Sequence, residues 1–347
     1  MKEAILMILI VFILLSSYFL NERKMEREDT DNIVLQGNVV QLNSLTLRQK
    51  LAQMIMVRGD GGDTELTELD VGGIFLDKQE NEEQYSGLIA RYQSESRIKL
   101  LVATDLEGAW NPFYEKKQVF PYFSDVNNSQ EAYEVGLSHG KLLRDVGFNM
   151  NFAPVAEFTD LAYGGRTFSG SKEEIKEKLK AYILGLQESV AGTCKHYPGK
   201  ALQENLHLKT DTQSIDEDDL ELFEECVKQN ISAIMVGHQI VEGEFDSHGR
   251  PSSVSEEVIG NIPDSVLVVA DEVNMRGLKN FYISKRKMYQ DLINSGENLI
   301  LDFNLDKKST YNLLIDLEED VRKGRISEEK VDESVRKILK LKGYDVR

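Results

Sequence analysis

The chain has 347 residues, a length that suits one large α/β domain or two smaller ones. Its apolar residues make up 41%, an ordinary share for a globular protein, and its formal net charge is −18. Nucleic-acid binding needs a basic surface, so this charge argues against nucleic acid as a partner.

The first feature in the chain is an apolar run, Ala4–Leu20, interrupted only by two serines. It is close to the roughly 20 residues of a membrane-spanning helix and exceeds the roughly 7–15 residues of a signal-peptide core. Neither a clear small-residue cleavage pattern nor a lipoprotein cysteine follows it in the sequence. We therefore interpret residues 1–24 as an uncleaved signal-anchor, with a cleaved signal peptide as the alternative. Basic residues on both sides leave its orientation open.

Polar and charged residues then predict a linker over 25–43, with the globular part spanning 44–347. Within that part, strand-like and helix-like patterns alternate. Most strand candidates are short, continuous and apolar, which is typical of strands buried on both faces. They are Ala52–Val57, Gly72–Leu76, Leu100–Thr104, Asn149–Phe152, Gly192–His196, Ala233–Val236, Val266–Ala270 and Asn298–Asp302.

Helical patterns separate these strands. They cover Glu80–Ser94, Ser129–Asp145, Ser171–Ser189, Asp216–Gln229, Ser284–Ser295, Lys308–Lys323 and about 326–341, and Ser171 with Glu174 forms a capping-box pattern. Eight alternations over about 300 residues predict a single (β/α)8 barrel of the triosephosphate-isomerase type. A doubly wound open sheet is the alternative, and the lack of a GxGxxG or Walker loop after any strand weakens it.

Several predicted strands end in charged or histidine side chains. These are Asp105 after the third strand, Arg166 after the fourth, Lys195 and His196 in the fifth, His207 in the following loop, and Asp271 after the seventh. The carboxyl ends of barrel strands share one face, so these side chains are predicted to surround one pocket. Lys195 and His196 are consecutive, and in a strand they point to opposite faces unless the strand ends there.

Four of these positions also have a structural interpretation. Asp105 is compatible with a helix N-cap, and Arg166 with a surface position. His196 is compatible with a hydrogen-bonded core histidine. Asp271 suits a structural ion pair as well as a nucleophile that attacks an anomeric carbon.

The two cysteines, Cys194 and Cys226, show no spacing typical of a zinc site, and no metal is predicted. They could pair in an oxidising compartment. Because Cys194 falls in a predicted buried strand, we interpret the two as free thiols in the core.

Short sequence blocks follow one another along Leu45–Tyr344 in an order that is specific as a set. They include LTLRQKLAQMIMV, VGGIFL, LVATDLEG, NMNFAPVAEF, GRTFSG, CKHYPGK, AIMVGH, PSSVSEEVI, VVADEVNM and ISEEKVDESVRKILKLK. Through these blocks and their order, the chain resembles glycoside hydrolase family 3, and in particular its single-domain bacterial β-N-acetylglucosaminidases, the β-hexosaminidases.

This resemblance implies a triosephosphate-isomerase-type barrel and retaining hydrolysis of a carbohydrate substrate with terminal β-linked N-acetylglucosamine. Asp271 matches the family's catalytic nucleophile, and His207 matches the general acid/base of this branch. The substrate-binding positions are matched by Asp105, Arg166, Lys195 and His196. No metal or organic cofactor is implied, because two side chains suffice for retaining hydrolysis.

The chain departs from the family in two loops. Lys200 replaces the first loop histidine, the loop is one residue shorter before His207, and Asn205 stands where an aspartate pairs with the catalytic histidine. After LEGA, Trp110 and Phe113 lie near the places of the usual arginines. Trp110 is compatible with stacking on a sugar and with anchoring a loop.

These patterns lead to two hypotheses of different classes. The first is a membrane-anchored, extracytoplasmic exo-β-glycosidase. The alternative is a catalytically weakened barrel that binds glycans or acts as an envelope scaffold, and the altered acid/base loop and the missing arginines favour it.

Overall fold

A computed structural model of the protein describes residues 33–113, 120–159, 164–199, 210–243 and 246–347. The anchor predicted over residues 1–24 lies outside these residues, as do Lys200, Asn205 and His207. Within the described ranges, no helix combines the length and the apolar character that crossing a membrane requires.

Eight parallel strands close into a barrel. They are β1 Ile55–Arg58, β2 Gly73–Phe75, β3 Leu101–Thr104, β4 Met150–Asn151, β5 Ala191–Tyr197, β6 Ala233–Val236, β7 Leu267–Ala270 and β8 Leu299–Asp302. Each strand pairs with its neighbours in sequence, and Ile300 of β8 lies opposite Ile55 of β1, which completes the ring. The (β/α)8 prediction is therefore confirmed, and the alternative of a doubly wound open sheet is wrong.

Helices surround the barrel in the described part of the chain. They are α1 Leu47–Gln53, α2 Glu82–Glu95, α3 Ser129–Val146, α4 Lys172–Leu186, α5 Glu217–Lys228, α6 Glu256–Ile259, α7 Arg276–Lys279, α8 Lys285–Ser295, α9 Lys307–Arg322 and α10 Glu328–Leu341. The predicted capping box begins α4: the Ser171 side chain accepts from the backbone of Glu174, whose carboxylate accepts from the backbone N–H of Ser171.

The first strand begins later than predicted. Ala52 belongs to α1, whose start is fixed by a capping box between Thr46 and Gln49. The segment from Leu51 to Val57, apolar except for Gln53, therefore covers the end of a helix as well as a strand. A short apolar run does not distinguish the two by periodicity alone.

The folded body also begins earlier than the predicted boundary at residue 44. Leu35–Gln36 and Val39–Val40 form an antiparallel hairpin, and Asp345–Val346 pairs with its second strand in parallel. Val40 is fully buried. The linker prediction is therefore wrong for residues 33–43, because short strands held by distant partners carry little local signal.

This three-stranded sheet, which we call the base sheet, covers the amino-terminal end of the barrel. The hydroxyl of Tyr344, just before the last strand of the base sheet, accepts a hydrogen bond from the backbone of Lys99, which precedes β3. The sequence-predicted site residues follow the opposite, carboxyl ends of the strands.

Cys194 and Cys226 form a disulfide, so the prediction of free thiols is wrong. Cys194 lies in β5 and Cys226 in α5, and their Cα atoms are 6.6 Å apart, within the range that a disulfide spans. The spacing of the two residues in sequence does not reveal that α5 packs beside β5.

Glu297, just before β8, is fully buried, and both of its carboxylate oxygens lack a hydrogen-bond partner among the described residues. Burial, with a smaller contribution from the charge of Asp271, raises the pKa of Glu297 well above its usual value of 4.5. Above pH 4.5 the unfolded chain is ionised there while the folded protein keeps the proton. The free energy of unfolding therefore falls as the pH rises from about 4.5 towards the raised pKa of Glu297 in the folded protein.

We expect Glu297→Gln to increase the free energy of unfolding by about 1–3 kcal/mol at pH 7.5 and to change it little at pH 4. Denaturant unfolding at the two pH values measures this difference. Glu224→Gln is the matched control, because Glu224 is exposed on α5. A stabilisation by Glu297→Gln that is the same at both pH values would contradict a neutral carboxyl in the fold.

Candidate active site

Five of the predicted site residues line one cavity of about 600 Å³ at the carboxyl ends of the strands. They are Asp105, Arg166, Lys195, His196 and Asp271. The predicted convergence on one face is therefore present for these five, whereas His207 stays a prediction.

A network of alternating charges forms one side of this cavity. Lys195 Nζ lies 2.6 Å from Asp105 Oδ1 and also forms an ion pair with Glu107. Glu107 in turn binds the Arg166 guanidinium through both carboxylate oxygens, with Nη2 to Oε1 at 3.1 Å. The carboxylates are thus neutralised by cations, and among the described residues no group of His, Cys, Asp and Glu side chains has an arrangement that could hold a metal ion.

Glu107 is the residue of this network that the sequence did not single out, although it lies within the LVATDLEG block. Burial by itself raises the pKa of Glu107, but the charges of Lys195 and Arg166 outweigh it and lower the pKa to about 2. The buried Glu107 is therefore ionised and holds both cations in place. The Asp105 side chain differs in being 47% exposed, so it keeps oxygen lone pairs available to the cavity.

Lys195 and His196 both line the cavity although they are consecutive. The register between β5 and β6 explains this, because Lys195 lies opposite Met235 while Tyr197 lies opposite Val236. The pairing therefore shifts by one residue at His196, and such an irregularity redirects side chains that strict alternation would separate.

Asp271 follows β7 directly, and its side chain is largely buried while still facing the cavity. Its Oδ1 accepts a hydrogen bond of 2.7 Å from the backbone N–H of Glu272, and its Oδ2 lies 4.0 Å from His196 Nε2. Burial raises the pKa of Asp271, but the adjacent His196 and the Glu272 N–H favour the ionised form more strongly, so the pKa lies below its usual value. An ionised carboxylate facing a cavity has the state that a nucleophile needs.

Two further residues position His196 and the backbone next to Asp271. Glu157 Oε1 lies 3.3 Å from His196 Nδ1, which places the imidazole between Glu157 and Asp271. His238 is fully buried behind Asp271, with Nε2 3.1 Å from the Glu272 carbonyl oxygen. A carbonyl only accepts, so His238 donates through Nε2 and accepts through Nδ1 from the Ser253 hydroxyl at 2.7 Å.

Burial lowers the pKa of His238, which favours this neutral form. The imidazole therefore fixes the backbone that follows Asp271 without adding a charge. His238 lies in the AIMVGH block and Glu157 in the NMNFAPVAEF block, and neither was predicted as a site residue.

Aromatic side chains form the apolar part of the cavity. Phe75 stacks on Phe303 with ring centroids 4.7 Å apart and lies 6.0 Å from Phe152. Trp110 also lines the cavity, whereas Phe113 is fully buried against Tyr85 at 5.0 Å. Of the two residues near the missing arginines, Phe113 is thus the loop anchor, and Trp110 is the one that reaches the site.

Residues 46–341 match the family model described as the glycosyl hydrolase family 3 N terminal domain. The chain belongs to glycosyl hydrolase family 3. This match covers most of the sequence and confirms the resemblance drawn from the sequence blocks.

Two named relatives show how far the similarity extends. The chain is 24% identical over 333 residues to the beta-hexosaminidase LpqI of Mycobacterium tuberculosis, covering 86% of this chain and 83% of that protein. It is also 24% identical over 301 residues to a beta-N-acetylglucosaminidase/beta-glucosidase of Cellulomonas fimi, covering 79% of this chain. The match spans about half of the Cellulomonas fimi protein, 52% of its length.

Solved structures give the same family and fold. A family 3 beta-N-acetylglucosaminidase from Paenibacillus sp. FPU-7 superposes with a TM-score of 0.78 at 27% identity, over 86% of this chain and 62% of that one. A family 3 glycosyl hydrolase from Mycobacterium smegmatis gives a TM-score of 0.77 at 25% identity, over 87% and 98% of the two chains.

Proposed function

We propose that this protein is a retaining exo-β-glycosidase that hydrolyses O-glycosidic bonds and releases terminal β-linked N-acetylglucosamine. The observation that carries the proposal is the ionised Asp271 facing a cavity in a family 3 barrel, with the Lys195–Asp105 pair on the same cavity wall. The names of the Cellulomonas fimi and Paenibacillus relatives support N-acetylglucosamine as the sugar, and that of the Mycobacterium tuberculosis relative supports a hexosamine.

In the proposed reaction, a carboxylate oxygen of Asp271 attacks the anomeric carbon as the bond from that carbon to the leaving oxygen breaks. His207 donates a proton to the leaving oxygen and later takes a proton from the water that hydrolyses the glycosyl-enzyme. Two displacements at one carbon retain its configuration.

The charge network supports a role in binding the terminal sugar. Asp105 is the more exposed carboxylate and accepts hydrogen bonds from sugar hydroxyls, while Lys195 binds its Oδ1 and holds it in place. Arg166 is held by Glu107 at the cavity wall, and His196 lies beside Asp271, which in the proposed reaction puts it near the anomeric carbon. These assignments make Asp105, Arg166, Lys195 and His196 substrate-binding residues.

The test is to incubate the detergent-solubilised full-length chain with nitrophenyl β-glycosides and to follow turnover and the anomer first released. A fluorinated substrate that slows the second step should add one glycosyl mass to the peptide that contains Asp271. Turnover with inversion, or labelling of another residue, would contradict the proposal.

The second candidate function is the catalytically weakened barrel that binds glycans or serves as an envelope scaffold. Lys200 and Asn205 in the acid/base loop favour it. Saturable binding of a glycan with no turnover and no covalent label would make this candidate the better one.

We expect Asn205→Asp to raise turnover of unactivated glycosides by roughly tenfold or more and to raise that of nitrophenyl glycosides much less. A neighbouring carboxylate raises the pKa of a histidine because it stabilises the imidazolium, and poor leaving groups need the proton most. The measurement is kcat/KM against pH for both substrate types, and the alkaline limb should move to higher pH in the variant. His207→Ala is the companion variant. If both variants leave the two substrate types unchanged, this loop does no acid/base work.

We also propose that residues 1–24 anchor the chain in a membrane, that residues 25–32 serve as a linker, and that the barrel lies outside the cytoplasm. The apolar run Ala4–Leu20 and the Cys194–Cys226 disulfide support this, because structural disulfides persist mainly in oxidising compartments. Cell fractionation with mapping of the N-terminus tests the anchor. Full activity in the soluble fraction, with an N-terminus beyond Leu20, would instead indicate cleavage.

A further inference from the structure

Trp110 is hydrogen-bonded to two loops of the cavity. Its backbone exchanges two hydrogen bonds with Glu107, at 2.8 and 3.2 Å, in a tight turn in which Gly108 has a φ of +65°. Its indole Nε1 donates at 3.2 Å to the carbonyl of Gly164, in the loop that carries Arg166. The ring is therefore fixed at its backbone and at its polar edge.

This fixed indole is nevertheless 46% exposed, and it lines the active-site cavity. The other exposed large apolar side chains among the described residues are not part of the cavity lining: Val34, Tyr122, Leu184, Phe281, Ile283 and Ile315. An ordered aromatic surface loses little conformational entropy when a ligand covers it, which is why such residues dominate recognition sites.

The position of the ring indicates which part of a substrate it meets. Among the aromatic side chains of the cavity lining, Phe75 and Phe152 are buried and Phe303 is half-buried, whereas Trp110 is exposed. An exo-acting site holds the terminal sugar beside Asp271 and the charged network, so the remainder of the substrate leaves past the exposed side. A pyranose presents an apolar C–H face, and an indole presents a flat apolar surface of matching size.

We propose that Trp110 is a substrate-binding residue for the aglycone, and that the aglycone is a second pyranose stacked on the indole. This inference rests on the proposed exo-glycosidase function and makes it more specific. It assigns the protein to substrates in which the released N-acetylglucosamine is linked to another sugar, rather than to an alkyl or protein group.

The kinetic test compares N,N′-diacetylchitobiose with methyl β-N-acetylglucosaminide, using the full-length protein. Trp110→Ala should lower kcat/KM for the disaccharide roughly 5- to 10-fold and leave the methyl glycoside within about 2-fold, since one stacked aromatic contact has that range. Trp110→Phe keeps a stacking ring and should recover most of the loss. Equal losses on both substrates for Trp110→Ala would overturn the assignment.

A second measurement is independent of turnover, because Trp110 is the single tryptophan of the chain. In the Asp271→Asn variant, the disaccharide should change the tryptophan emission saturably, while N-acetylglucosamine should bind with a much smaller change. Calorimetry on the same samples gives the binding curves for both sugars.

The outcomes separate the inference from the function on which it rests. Calorimetric binding of the disaccharide with no change in emission would place its second sugar elsewhere and overturn the role of Trp110. No binding of either sugar, together with no turnover by the native chain, would overturn the proposed function and this inference with it.

Discussion

Asp271→Ala is expected to lower turnover of a nitrophenyl β-glycoside by at least roughly 10³-fold, because the variant has no group to form the glycosyl-enzyme. The loss should come with little change in stability, since the Asp271 side chain lies at the end of β7 and faces the cavity. Because the pKa of Asp271 is lowered, the native enzyme should keep this carboxylate ionised below its ordinary pKa of 3.8. Any acid limb of kcat/KM that lies well above that pH should therefore belong to another group.

Azide provides a sharp test of the role of Asp271. In the Asp271→Ala variant, azide can occupy the vacated volume and attack the anomeric carbon once, which yields an α-glycosyl azide. Asp264→Asn is the matched control, because Asp264 is an exposed aspartate just before the same strand, at the opposite end of the barrel. An Asp271→Ala protein that folds and still releases nitrophenol at the native rate would refute the nucleophile assignment.

Reduction of the Cys194–Cys226 disulfide is expected to lower the free energy of unfolding by about 3–4 kcal/mol, the loop-closure contribution for the 32-residue separation of the two cysteines. Denaturant unfolding with and without a thiol reductant measures the effect. The Cys194→Ala/Cys226→Ala double variant should have the lower stability in both conditions. Two thiols titrated in the unfolded, unreduced protein would contradict the disulfide.

The barrel was predictable from sequence because its strands are short apolar runs that alternate with amphipathic helices. This pattern located β3, β6 and β7 to within one residue at each end. The pattern failed at β1, where Ala52 continues a helix that a local capping box starts. It also failed at the hairpin that precedes residue 44, whose strands are held by Asp345–Val346 from the other end of the chain.

The site was predictable only in part. Positions after strand ends identified Asp105 and Asp271, because barrel topology brings those ends together. The pairing of Glu107 with Lys195 and Arg166 was not predictable from the sequence. It depends on the directions of three side chains that come from different strands and loops. The placement of His196 depends on a register shift between β5 and β6, and no residue pattern in the sequence marks that shift.

The base sheet also determines on which side of the barrel, relative to the active site, the chain would be tethered to a membrane. With the proposed anchor in place, the chain enters the folded body at Ile33, beside the hairpin, on the face opposite the cavity. The proposed linker, residues 25–32, spans at most about 30 Å when fully extended. An anchor there would tether the barrel by the face opposite the cavity, so the cavity would be open to glycans on the side away from the tether.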